Sequence, residues 1–339
     1  MNQQKEKRFD SAAEGVCERI HRCLVALPAD VKGQTQEIRL RINRPVTISC
    51  PNGIYFVKGN GGIGCLAGRD SIIAEKPDLE ESFRILCGNS VYSHETEIRS
   101  GFITLRGGHR AGISGTAVFQ NRTISGMKDI SSINIRVARE VPGCADKLLD
   151  RLKDFLNGGL LLAGPPSSGK TTLLRDIARQ LSSGTRGNIR KVAIVDERGE
   201  IAGTFHGVPQ NNIGLCCDVL DGYPKAEGIL MAVRCLSPQY IICDELGSEE
   251  ETRAVEQSLN AGVSIIASIH AGSMKELCRR RQAAALLQTG AFSSAALLRG
   301  SESPGSIEKI YRAGDLLAEA DRRASPDCRG VTRGLYGIA

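Results

Sequence analysis

The sequence predicts an α/β protein whose core is a mainly parallel sheet, preceded by a smaller α+β domain. Three observations predict it. Four continuous apolar segments, Leu160–Ala163, Val192–Val195, Tyr240–Cys243 and Val263–Ile269, are separated by helical segments or loops; strands apolar on both faces belong to a parallel sheet covered on both sides. A glycine-rich loop joins the first of these strands to a helix. The pattern also changes near Pro142, from short alternating strands to helices and buried strands in turn.

The elements follow in order. From Glu14 to Leu27 the apolar positions Val16, Ile20, Cys23, Leu24 and Leu27 keep a helical period that stops at Pro28. Glu37 to Thr47 alternates, with Ile38, Leu40 and Ile42 set against Arg39, Arg41 and Asn43, as a half-buried strand does. Strand-like pieces at 54–57, 101–105, 112–119 and 133–137 are punctuated by glycines. These form an N-terminal α+β domain over residues 1–142, with 1–12 loose, and Val141, Pro142 and Gly143 read as a hinge. A helical stripe (Leu148, Leu149, Leu152, Leu156) opens the second domain, 143–320, and residues 321–339 are polar and glycine-rich, a flexible tail.

Composition sets the outer limits. The 339 residues suit two domains at roughly 150 residues each. Aromatics are only 4% and Trp is absent, so Leu, Ile, Val and Ala must fill the cores. A net charge of +6 is too mild to indicate nucleic-acid binding. The twelve cysteines show no C-x-x-C spacing, and Cys50, Cys87, Cys235 and Cys243, in apolar stretches, read as reduced small hydrophobes. The polar N-terminus has no secretory pattern, and no run reaches the ~18 apolar residues of a spanning helix. The expectation is a cytoplasmic protein that meets any membrane through protein partners.

The loop carries the chemistry. Gly164, Pro165, Pro166, Ser167, Ser168, Gly169, Lys170, Thr171 and Thr172 fit G-x-x-x-x-G-K-S/T, with a buried strand before and a helix after (Leu173, Leu174, Ile177, Leu181, then Gly184). Glycines let backbone N–H groups turn inward around a phosphate, and the helix N-terminus adds partial positive charge. Lys170 would neutralise the β/γ oxygens of ATP, and the Thr171 hydroxyl would complete the shell of Mg²⁺.

Tyr240–Cys243 ends in Asp244 and Glu245. An acid here holds the metal, so Asp244 is the expected Mg²⁺ partner and Glu245 the general base toward water. Ser248 and Glu251 form a capping box for a helix over 249–261. The strand at 192–195 ends in Asp196, Glu197 and Glu200, which read either as γ-phosphate neighbours or as an exposed turn. His270 ends the next strand, at the same carboxyl edge, as a structural residue or a γ-phosphate sensor.

Longer strings then become specific. Asp196-Glu-Arg-Gly-Glu-Ile-Ala-Gly203, Gly207-Val-Pro-Gln210 and Asp218-Val-Leu-Asp-Gly-Tyr-Pro-Lys-Ala-Glu-Gly228 resemble the stage III sporulation protein AA family, of the secretion-ATPase branch of RecA-like P-loop proteins. Glu37-Ile-Arg-Leu-Arg-Ile-Asn-Arg-Pro45, Gly107-Gly-His-Arg-Ala-Gly112 and Lys128-Asp-Ile-Ser-Ser-Ile-Asn-Ile-Arg-Val-Ala-Arg-Glu140 extend the resemblance into the first half. The resemblance implies a RecA-like core, a homo-oligomeric ring (a hexamer), and a motor that powers a sporulation channel between mother cell and forespore. Asp196, Glu197 and Glu200 match the acidic box and His270 the histidine box. Arg136 and Arg139 match arginines placed near a neighbouring subunit's nucleotide. Cys216 and Gly247 stand where arginines are usual, which implies the loss of a charge contact to phosphate or to the next subunit. Two alternatives differ in class: a nucleotide-gated scaffold with weak hydrolysis, and a RecA-like nucleic-acid motor. Few, dispersed aromatics and short arginine runs speak against the latter.

Overall fold

The computed structural model describes residues 2–88, 90–99, 101–120, 122–152 and 158–316. The chain divides into two compact units: residues up to Glu140 together with Ala202–Asn211, and the remainder from Val141.

The N-terminal unit contains α1 (Asn2–Ala13), α2 (Glu18–Val25), α3 (Ala29–Gln34), β1 (Glu37–Arg41), β2 (Arg44–Pro45), β3 (Thr47–Cys50), β4 (Gly53–Val57), β5 (Ile63–Gly64), β6 (Ile73–Ala74), α4 (Lys76–Leu86), α5 (Glu95–Arg99), β7 (Phe102–Thr104), β8 (Arg110–Gln120) and β9 (Thr123–Arg136). Its main sheet is antiparallel, in the order β5-β4-β3-β1-β9-β8-β7. The strand expected over Glu37–Thr47 ends at Arg41, because Asn43 turns the chain at φ +56° and Thr47 opens β3. Within β1 the alternation holds, with Ile38 and Leu40 fully buried among Ile133 and Ile135 of β9 and Ile20, Leu24 and Leu79 of the helices. Residues 2–12, expected to be loose, lie in α1, because Phe9 and Ala12 give that segment a buried apolar side. The segment Ala202–Asn211, expected within the second domain, belongs to this unit. The Ala202 carbonyl accepts from the Gln210 and Asn211 amides at 3.2 and 3.0 Å, closing the loop, and Gln210 Oε1 accepts from the Gly107 amide at 2.8 Å.

The second unit contains α6 (Asp146–Arg151), β10 (Leu160–Gly164), α7 (Lys170–Ser183), β11 (Val192–Asp196), β12 (Cys217–Asp221), α8 (Lys225–Leu236), β13 (Tyr240–Cys243), α9 (Glu249–Asn260), β14 (Ser264–His270), α10 (Met274–Arg279), α11 (Arg281–Gln288), β15 (Ser294–Leu298) and β16 (Ile307–Arg312). The sheet order is β12-β11-β13-β14-β10-β15-β16, with every neighbouring pair parallel except β15–β16. This is the α/β fold expected, with a mainly parallel sheet. Every residue of β10, β11 and β13 is buried, which a parallel sheet covered on both faces requires. The parallel strands β10, β11, β13 and β14 share one carboxyl edge, where Gly164, Asp196 and His270 end β10, β11 and β14 and Asp244 and Glu245 follow β13. Leu156 of the expected stripe and the tail over 321–339 lie outside the described residues.

Candidate active site

β10 delivers the chain to Gly164 in the middle of the sheet, and α7 starts at Lys170. The turn between them needs unusual backbone. Ser167 has φ +59° and Gly169, the residue before the helix, φ +89°. A Cβ on Gly169 would lie 2.6 Å from the Gly305 nitrogen, so glycine alone fits on both counts. The Gly305 amide in turn donates to the Ser168 carbonyl at 2.8 Å, bracing the loop from behind. The Ser168 hydroxyl is buried without a hydrogen-bond partner among the described residues.

Lys170 is buried, and its ammonium donates to the carbonyls of Gly164 and Pro165 at 3.0 and 2.9 Å. Burial lowers its pKa below the ordinary lysine value, while Glu245 and Asp244 pull it back up. Parallel pairing of β10 with β14 sets Gly164 opposite His270. Lys170 Nζ therefore lies 3.2 Å from His270 Nδ1, and His270 Nε2 lies 2.7 Å from Glu245 Oε1. An ammonium has only donors, so it donates to Nδ1, and Nε2–H donates to the carboxylate. One neutral imidazole tautomer satisfies both contacts.

Glu245 has φ +46°, uncommon for a residue with a side chain. Its amide donates to Ser268 Oγ at 3.0 Å, its carbonyl accepts from Lys225 Nζ at 3.0 Å, and Oε2 lies 3.3 Å from Arg198 Nη1. Asp244 beside it is almost fully buried, and its pKa is pushed up to about 7, first by burial and then by Asp196 and Glu200. Three carboxyl groups converge on this edge, and the Lys225 ammonium offsets their effect on Asp244 only in part. Mg²⁺ is usually held by one or two carboxylates plus phosphate and water oxygens. Asp244 and the Thr171 hydroxyl fit that donor chemistry.

The acidic turn after β11 separates its members. Asp196 is fully buried, and its two oxygens accept from the amides of Glu200 and Ile201 at 2.8 and 3.1 Å, organising the turn itself. Arg175 of α7 holds the carbonyls of Glu200 and Ile201, both at 2.7 Å. Glu197 pairs with Lys225 at 3.2 Å. Arg198 and Lys225 were not singled out from the sequence. The partners of Lys225 lie 20 to 28 residues away, at Glu245, Glu197 and Glu251, and no local pattern signals such convergence.

Arg136 and Arg139 belong to the N-terminal unit. There Arg136 pairs with Glu37 at 3.3 Å, and Arg139 donates to the Thr35 carbonyl at 2.6 Å. Cys216 precedes β12 and its carbonyl accepts from the Val192 amide at the start of β11, so it lies at the amino edge of the sheet. A five-residue strand spans about 16 Å, so an arginine at 216 would not reach the phosphates of its own cradle. The space around Gly247 is open.

Beside the cradle, a cavity of about 580 Å³ is lined by Cys144, Lys147, Arg151, Arg299, Pro304 and Ile307, among others. Cys144 Sγ sits 3.6 Å from the Thr172 carbonyl, so the cavity adjoins the first turn of α7.

A buried parallel strand, a glycine-rich loop capping a helix, and acids ending a nearby strand define the fold and cradle of a RecA-like P-loop protein. Solved structures agree in fold. The ATPase DotB of Legionella pneumophila superposes with a TM-score of 0.55 at 16% identity, covering 85% of this chain and 83% of that one. The pilus retraction motor PilT, solved with bound ADP, gives 0.50 at 15% identity, covering 78% and 74%. The profile of the family described as "Sporulation stage III, protein AA" matches residues 6–316. Stage III sporulation protein AA of Bacillus subtilis (strain 168) is 38% identical over 306 residues, 89% of this chain and 95% of that protein. The chain belongs to the stage III sporulation protein AA family. Among the described residues, no helix is long and apolar enough to cross a membrane.

Proposed function

We propose that this chain is a Mg²⁺-dependent ATPase, acting as a homo-oligomeric motor, a hexameric ring, that energises a sporulation channel between mother cell and forespore from the cytoplasmic side. The observation that carries the reading is the Lys170–His270–Glu245 chain, with contacts of 3.2 and 2.7 Å, at the mouth of the glycine-rich cradle. Family membership supports the sporulation role, and the P-loop fold supports the nucleotide. Membrane channel proteins are the partners this role requires.

In this reading Gly164–Thr172 wraps the phosphates, and Lys170 leaves the carbonyls of Gly164 and Pro165 to neutralise the β/γ oxygens. Bound Mg²⁺ would supply positive charge to the transferring phosphoryl group. Asp244 and Thr171 would hold it, and the ion would keep Asp244 ionised despite its burial. Glu245 takes the proton of the attacking water. His270 hydrogen-bonds the Glu245 carboxylate and carries the presence of the γ-phosphate from Lys170 to that base. Glu200 and Glu197 bound the edge, and Asp196 fixes their turn. The cavity beside α7 would receive the nucleoside. Arg136 and Arg139 supply charge to a neighbouring subunit's site, and an arginine given in trans is worth about 10³–10⁵ in rate.

The test is steady-state phosphate release per subunit over a wide range of protein concentration. Turnover should require Mg²⁺, vanish in Lys170→Ala, and fall on dilution as the ring dissociates. A rate that stays high and flat down to monomeric dilution would remove the ring, and a Lys170→Ala rate equal to native would remove the ATPase. Slow, equal rates in native and Glu245→Gln would favour the nucleotide-gated scaffold.

A further inference from the structure

Lys225 is the first residue of α8, next to Pro224. A cation at a helix N-terminus faces the positive end of the macrodipole and is disfavoured there. Burying its ammonium adds a desolvation cost. Lys225 is nevertheless buried, with a side chain only 8% exposed. Something near it must offset both costs, and its contacts show what. Nζ donates to the Glu245 carbonyl at 3.0 Å and pairs with Glu197 at 3.2 Å and Glu251 at 3.4 Å.

These contacts grip both ends of one short loop. At its start, Glu245 sits in the left-handed region at φ +46°, a conformation that persists for a non-glycine residue only when neighbours fix it. Ser268 Oγ fixes the Glu245 amide and Lys225 fixes the carbonyl. At the loop's end, Glu251 Oε2 accepts from the Gly247 and Ser248 amides at 2.6 and 2.9 Å, while its other oxygen meets Lys225. Through Glu197 the same ammonium reaches the turn after β11.

We propose that Lys225 is a positioning residue that locks the Asp244–Ser248 loop in its left-handed turn and so aims the Glu245 carboxylate. This inference rests on Glu245 acting as the base of the proposed ATPase. Lys225 itself touches no reacting atom. Its removal would loosen the turn and leave Glu197 and Glu251 without their shared cation, while the phosphate cradle, built from β10 and α7, stays intact.

The experiment compares full-length native protein with Lys225→Met, Lys225→Arg and Glu245→Gln. It measures phosphate release, binding of a fluorescent ADP analogue, and amide exchange over residues 244–251 without nucleotide. Misplacing a catalytic group by about an ångström costs roughly 10²-fold. Lys225→Met should therefore lose about 100-fold in kcat, with the analogue's Kd within about threefold of native and its stoichiometry unchanged. Exchange at the Glu245 to Ser248 amides should quicken by about tenfold or more. Lys225→Arg, which keeps a cation in reach, should recover at least about tenfold of the loss. A Lys225→Met kcat within about threefold of native, or a loss matched by lost binding stoichiometry, overturns the proposal. Glu245→Gln turning over like native sinks the hydrolase reading instead. In that case unchanged exchange in Lys225→Met overturns the positioning role, and faster exchange sustains it.

Discussion

At the residue scale, the site is governed by a few side chains whose surroundings leave them one role each. His270 sits between Lys170 and Glu245, with Nδ1 3.2 Å from the ammonium and Nε2 2.7 Å from the carboxylate, the contacts on which its proposed relay role rests. His109, in the N-terminal unit, is a second constrained imidazole. It is fully buried, and its Nδ1 accepts from the Ala138 amide at 2.9 Å, which puts its proton on Nε2. Burial, with a smaller push from Arg8, lowers its pKa to about 4. In the unfolded chain a histidine takes up a proton below about 6.5. Between about 6.5 and 4 the unfolded state therefore binds the extra proton and the folded state does not. Stability is full above that window and falls as pH drops through it, by about 1.4 kcal/mol per pH unit. Urea unfolding of the N-terminal unit at pH 7 and pH 5 should show that loss, and His109→Gln should flatten it. An unchanged slope in the variant would remove His109 as the cause. At this scale the sequence was readable where a motif has fixed spacing, as at Gly164–Thr172. It was silent where contacts come from separate loops, as for Arg198 on Glu245.

At the element scale, α9 shows why some boundaries were legible. Ser248 Oγ accepts from the Glu251 amide at 3.1 Å and the Glu251 carboxylate returns to the Ser248 amide at 2.9 Å, the reciprocal pair that the spacing predicts. The helix runs Glu249–Asn260 where 249–261 was expected. Because the box also ends the Asp244–Ser248 loop, Ser248→Ala should weaken the first turn of α9 by about 1 kcal/mol. Amide exchange at Glu251 should then rise by about fivefold, and no change would contradict a structural role for the cap. β12, β15 and β16 were not foreseen. β12 is an edge strand with Asp218 and Asp221 interrupting its apolar pattern, β15 carries Ala295 and Ala296 at its centre, and β16 mixes charges with Ile and Tyr. Such strands are set by the neighbour they pair with, which local sequence does not reveal.

At the scale of the whole molecule, the chain crosses between its units more often than the linear pattern suggested. Ala202–Asn211 leaves the second unit directly after the turn that Asp196 and Arg175 hold, and counts with the first. The α/β class was legible because four apolar strands and one glycine-rich loop suffice to define it. The excursion was not, because a closed ten-residue loop has no periodicity to read. The central claim is that Glu245 drives phosphate cleavage at this P-loop, and single-turnover phosphate release with protein in excess over Mg²⁺·ATP tests it most directly. Native protein should cleave the bound ATP to completion, while Glu245→Gln should bind it and cleave about 10²–10⁴-fold more slowly, the usual worth of a general base. Equal cleavage rates in the two proteins would contradict it.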